Sequence, residues 1–160
     1  MKRIIIVFLF YFLLTGLLFT QESEPTESGM KDIRKNSFYT EIMGNAGLIS
    51  INYERLLPLG NKTGLGFRIG TGTAEAWTGL VEVNFIYGQD RNFLETGIGY
   101  TDAFDYPDQW ISIKLGYRYQ ATRGFLFKIA PMYIYNFERL KGNFDVFGGV
   151  WIGASFGYSF

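Results

Sequence analysis

Two residue types are missing from the 160-residue sequence, and each absence narrows what the protein can be. Without cysteine there are no disulfides, no thiolate metal sites and no lipid-modified N-terminal cysteine. Without histidine the commonest general base and the commonest transition-metal ligand are both absent. An excess of charge is missing too: 15 Lys and Arg balance 15 Asp and Glu, so nothing points to nucleic acid. Nor is there an apolar run of the roughly 20 residues that a membrane-crossing helix needs. What is abundant is glycine, at 20 residues, and aromatic side chains, at 19%. That pairing suits closely spaced strands flanked by aromatic belts better than a helical bundle. The length fits one domain.

Lys2 and Arg3 precede an apolar run from Ile4 to Leu18, and the chain turns polar at Gln21. A charged start followed by an apolar stretch too short to span a bilayer reads as a secretory signal rather than an anchor, over residues 1–21. No small-x-small motif marks a cleavage point, which is expected between Thr20 and Ser23. Residues 22–35, with Pro25, Gly29, several serines and charges of both signs, read as a flexible periplasmic leader.

From Asn36 the pattern becomes one of alternating segments of about ten residues separated by turn chemistry. Eight strands are expected: Ser37–Gly44, Leu48–Leu57, Thr63–Thr73, Trp77–Gly88, Asn92–Thr101, Trp110–Gln120, Phe125–Phe137 and a last one closing at Phe160. In the second to sixth, one face is apolar and the other carries glycine and the ionic residues. The sixth is the cleanest, with Ile111, Ile113, Leu115, Tyr117 and Tyr119 opposite Ser112, Lys114, Gly116, Arg118 and Gln120. In the fourth, Leu80 and Ile86 blur the polar face.

Two closed barrels accommodate this alternation. In a secreted soluble barrel the apolar face points inward and holds an apolar ligand. In a membrane barrel the same pattern is inverted, with lipid outside and polar groups within. Periodicity does not separate the two, but side-chain volume favours the second. Polar faces that mix glycine with long ionic residues suit a narrow interior, where small residues make room for large ones. The polar faces would then bring Glu41, Glu54, Glu82 and Glu95 together with Arg68, Lys114, Arg118 and Lys128. Buried charges must be paired, so the balanced count favours a plugged lumen over an open pore. Glu54 is expected near a barrel end, in water.

The last segment, GVWIGASFGYSF, places Phe156, Tyr158 and Phe160 on one face. Ending on an aromatic, it resembles the C-terminal strand of bacterial outer-membrane β-barrels. The stretch NSFYTEIMGNAGLISINYERLL, Asn36 to Leu57, resembles the opening hairpin of many outer-membrane barrel proteins. From Asn36 to Phe160 the pattern is similar to that of the small eight-stranded outer-membrane barrels of Gram-negative bacteria, such as the OmpA transmembrane domain and OmpX. The resemblance implies an all-β, eight-stranded antiparallel up-and-down barrel in the outer membrane, with both termini periplasmic. It also implies contact with outer-membrane lipid and lipopolysaccharide, and a C-terminal signal (Phe156, Tyr158, Phe160) read by the barrel assembly machinery. Two departures from these barrels are expected: short outward loops, unlike those of OmpX, and no C-terminal peptidoglycan-binding domain like that of OmpA.

Some barrels of this size modify lipid A with catalytic sets that include histidine, and no histidine is present for that role. Ser50, Ser112 and Ser155 read as small interior residues rather than nucleophiles. Asp102, Asp105 and Asp108 match no defined calcium loop and read as a solvated acidic turn. Gly64, Gly66, Gly70 and Gly72 precede no helix and form no phosphate cradle. The expectation is therefore a monomeric barrel without enzymatic activity, cofactor or nucleic-acid partner, acting in membrane integrity or surface contact.

Overall fold

The computed structural model describes residues 29–30, 32–73, 76–104, 108–137 and 149–160. The segment read as a signal, much of the leader, Asp105 of the acidic turn and the loop 138–148 lie outside the described residues. Eight strands form in chain order: β1 (Asn36–Gly44), β2 (Gly47–Pro58), β3 (Thr63–Thr73), β4 (Trp77–Gln89), β5 (Asn92–Ala103), β6 (Gln109–Gln120), β7 (Phe125–Asn136) and β8 (Gly149–Ser159). Each pairs antiparallel with its neighbours in sequence, and β8 returns to β1 to close a barrel. The architecture expected from the alternation is the one observed. Strand ends differ from it by two residues at most: several ladders run a residue or two past the alternation, while β7 and β8 stop one residue short of Phe137 and Phe160.

Closure matters because an open sheet leaves two rows of unpaired N–H and C=O groups. Here Ser37 stands opposite Ser159 and Ile42 opposite Ala154. The seam ends in a reciprocal pair, with the Phe160 N–H donating to the Asn36 carbonyl at 2.8 Å and the Asn36 N–H to the Phe160 carbonyl at 3.1 Å. The hydroxyls of Ser37 and Ser159 meet at 2.9 Å inside it.

The wall sorts side chains by parity. Along β6, Trp110, Ser112, Lys114, Gly116, Arg118 and Gln120 are buried, while Ile113, Leu115 and Tyr117 are exposed. The outward face is arranged by height. Aliphatic residues such as Ile51, Ile69, Val81, Ile98, Ile113 and Ile152 form a waist, all of them half or more exposed. Phe38, Tyr87, Phe125 and Tyr158 ring it on the side of the termini, and Trp77, Tyr100, Tyr133 and Tyr135 on the other. Polar side chains on this face turn back to the wall: Thr71 Oγ1 donates to the Thr78 carbonyl at 2.8 Å and Thr96 Oγ1 to the Lys114 carbonyl at 2.9 Å.

Candidate functional site: a closed charged interior

Inward parity delivers one ionic residue after another from different strands. Glu41 comes from β1, Glu54 from β2, Arg68 from β3, Glu82 from β4, Glu95 from β5, Lys114 and Arg118 from β6, and Lys128 from β7. All eight are buried. Each base bridges two acids. Arg68 pairs with Glu41 and, at 3.3 Å, with Glu82. Lys114 lies 2.6 Å from Glu82 and 2.7 Å from Glu95. Arg118 pairs with Glu54 and, at 3.2 Å, with Glu95. Lys128 lies 2.6 Å from Glu54 and 3.2 Å from Glu95. The result is one connected network with four negative and four positive charges, the arrangement that makes buried charge tolerable.

The register shows how such long side chains fit. Glu82 stands opposite Gly99, Glu95 opposite Gly116 and Lys114 opposite Gly97. A Cβ at Gly99 would lie 2.8 Å from Ser112 Oγ and 3.2 Å from the Glu82 carboxylate, so glycine there leaves the space that the network occupies. Arg118 and Lys128 are directly opposite each other on β6 and β7, a repulsive pairing offset by Glu54 and Glu95. Neutral groups take up the remaining donors. Asn52 Oδ1 accepts from Arg68 at 3.0 and 2.8 Å, Gln120 Oε1 accepts from Arg118 at 3.1 and 2.8 Å, and Ser155 donates to Glu41 at 3.3 Å. Tyr39 lies under both Arg68 and Lys128, with ring-centre distances of 5.4 and 4.4 Å.

Glu54 departs from the expectation that it meets water. It is fully buried and holds two bases. The cause is a cap that local pattern does not reveal. On the side of the termini Met30, Leu56, Ile86 and Phe93 form a buried apolar cluster, with Ile33 packed against it. Within the stretch read as a leader, the Met30 N–H donates to the Asn61 carbonyl at 2.6 Å, and the Lys35 carbonyl accepts from Leu56 N–H at 2.6 Å. Arg34 reaches the opposite wall, donating to the Thr122 carbonyl at 3.2 Å, the Tyr158 hydroxyl at 3.0 Å and the Ser159 carbonyl at 3.1 Å.

The other mouth is covered by the turn between β1 and β2. Met43 takes a positive φ of 55°, and Asn45 and Ala46 in the turn that follows are buried. The Asn45 carbonyl accepts from Thr101 Oγ1 at 3.0 Å and Trp110 Nε1 at 2.8 Å, the Ala46 carbonyl from Thr78 Oγ1 at 2.6 Å, and the Asn45 amide donates to Glu82. Ala76, Ala103, Trp110, Met132 and Ile134, with Trp151, complete this cap. The signal for both caps lay in the inward positions that are apolar, Trp110 and Ile86 among them.

Ser50, Ser112 and Ser155 all face inward and are buried. Among the described residues no group of three or more Asp or Glu is placed to hold a metal ion. The interior thus ties seven strands together through ion pairs and closes both ends with apolar side chains. Phe156, Tyr158 and Phe160 share the outward face of the seam, exposed by 37, 51 and 55%. Comparison with protein-family models, with curated proteins and with solved structures finds no match to this chain.

Proposed function

We propose that this protein is an integral outer-membrane β-barrel of a Gram-negative bacterium, with both termini periplasmic and a sealed interior. On this reading it acts through its surface, as a structural or interaction component of the envelope. One observation carries the reading: the buried charges of seven strands point into the barrel while an apolar belt, aliphatic at the waist and aromatic at both rims, faces out. Soluble monomers rarely expose apolar patches beyond a few hundred Å². Lipid is the medium in which such a belt is stable and in which a closed ladder satisfies the backbone. The rival reading, a secreted soluble barrel around an apolar ligand, needs its apolar face inside, where this barrel carries its ion pairs.

The reading assigns outer-membrane lipid and lipopolysaccharide as the surroundings, the barrel assembly machinery as the partner during insertion, and a monomer as the working unit. Catalysis has no role in it. The test is fractionation followed by electrophoresis. The mature protein is expected to stay with outer membranes after carbonate washing and to migrate faster unheated than boiled, because a closed barrel keeps its hydrogen bonds in detergent. Recovery as a soluble periplasmic monomer would overturn the proposal.

A further inference from the structure

The ladder around the barrel is interrupted in the middle of β7. Pro131 sits there on the outward face and has no N–H to give. Between β6 and β7 the register passes from Lys114–Met132 to Tyr117–Ile129, omitting Leu115–Pro131 and Gly116–Ala130. On its other side Pro131 still pairs with Ile152. Those two steps alone are lost when Leu115 and Pro131 occupy a doubly bonded position in which one of the two bonds has no donor. Proline is tolerated at sheet edges, and a closed barrel has no edge.

The Leu115 carbonyl therefore faces β7 without its ladder donor, in a wall whose outer surface is apolar. Immediately inside lies a cavity of about 10 Å³. Gly116 and Ala130, the residues at the break, form part of its lining, and their small side chains leave the space. Its polar lining includes Glu41, Glu95, Lys114, Lys128 and Ser155. A volume of this size is that of a single water, and a buried water needs two to four polar partners. Here two carboxylates, two ammonium groups and a hydroxyl line it. A sugar, a lipid headgroup or a phosphate is too large.

We propose that this cavity binds one water molecule that stands in for the N–H Pro131 lacks. The water donates to the Leu115 carbonyl and to the Glu41 carboxylate, and accepts from a lysine ammonium. The site joins the outer wall to the charged interior. It also makes the β6–β7 seam the line along which the wall opens most readily, because one rung is carried by an exchangeable molecule. In β6 the Leu115 and Tyr117 amides face β7, whereas those of Lys114 and Gly116 face the uninterrupted β5 ladder. Adjacent residues of one strand thus form an internal comparison.

The experiment is NMR on the full mature chain refolded in deuterated detergent, reading cross-relaxation from water to the Ala130 methyl group together with amide exchange. In the wild type a water contact at Ala130 is expected, with Leu115 and Tyr117 exchanging about tenfold or more faster than Lys114 and Gly116. Pro131→Ala, which restores the donor, is expected to remove the contact and slow Leu115 and Tyr117 to the level of their neighbours. Absence of the water contact in the wild type, or equal protection of all four amides, would overturn the proposal, and neither measurement depends on whether the variant folds. A folded Pro131→Ala that leaves contact and exchange unchanged would overturn it as well.

Discussion

Glu54 is the residue whose removal the interior is least able to absorb. It faces Arg118 and Lys128 together, and both bases would be left to share Glu95. Breaking a buried ion pair from one side costs about 3–5 kcal/mol, because the remaining charge stays desolvated. Glu54→Gln is therefore expected to lose stability in that range in denaturant unfolding from detergent micelles. Glu41→Gln should lose less, since Arg68 keeps Glu82 and Asn52. The double variant Glu54→Met, Lys128→Met leaves three acids and three bases and should recover most of the loss; if it is no more stable than Glu54→Gln, charge balance is not what holds the interior. The eight charges were legible as a group because a strand of period 2 ties every ionic residue to one face. The depth of Glu54 was not. It lies four residues from the end of β2, and its neighbour Ile86, which like it would meet a Cβ at Gly66, belongs to a cap built from Met30 and Phe93, far away in sequence.

For a strand, the alternation between adjacent residues is itself testable. Ile113 is 59% exposed on the aliphatic waist, while Ser112 beside it is fully buried. If the belt faces lipid, Ile113→Arg is expected to cost about 2–4 kcal/mol, the penalty for arginine near the bilayer midplane. Ser112→Arg meets a different obstacle, since its side chain would have to share the niche that Gly99 leaves beside Asn45 and Glu82; it should block folding rather than weaken it. Refolding yields and unfolding midpoints in lipid vesicles distinguish the two, and a neutral Ile113→Arg would reject lipid contact at that face. Strand positions were legible because outward residues from Phe38 to Tyr158 are mostly apolar, with few exceptions such as Thr71 and Thr96. The inward face was less so, because it serves two purposes along its length. Its middle is ionic and its ends are apolar, so that Leu80 and Ile86 look like errors of alternation when they are buried parts of the filled interior. Pro131 misleads in the opposite direction: its outward parity fits the strand, and only the register of β6 against β7 exposes the missing rung.

Closure is a property that no single strand contains. With both mouths capped and the middle filled by ion pairs, purified protein in planar bilayers is expected to show only small or rare openings; large, stable steps in most insertions would contradict a sealed interior. Closure also gives the C-terminus a second significance. Phe160 exchanges two backbone hydrogen bonds with Asn36 at the end of the seam, and its ring is 55% exposed on the outward face. If Phe160 only holds the seam, its deletion removes two hydrogen bonds, each worth about 0.5–1.5 kcal/mol, together with some apolar contact. Ser37 with Ser159, and Arg34 across Tyr158 and Ser159, would still fasten the same strands. Deletion should then lower stability in detergent and insertion in cells to a similar degree. If Phe156, Tyr158 and Phe160 together form the segment that the assembly machinery reads, losing the last of them must act before the seam exists. Protein lacking Phe160 is then expected to refold in detergent with only a modest shift in its unfolding midpoint, while the amount reaching the membrane in cells falls several-fold. Parallel measurement of the two quantities decides between the roles, and equal losses would leave Phe160 as a seam residue alone.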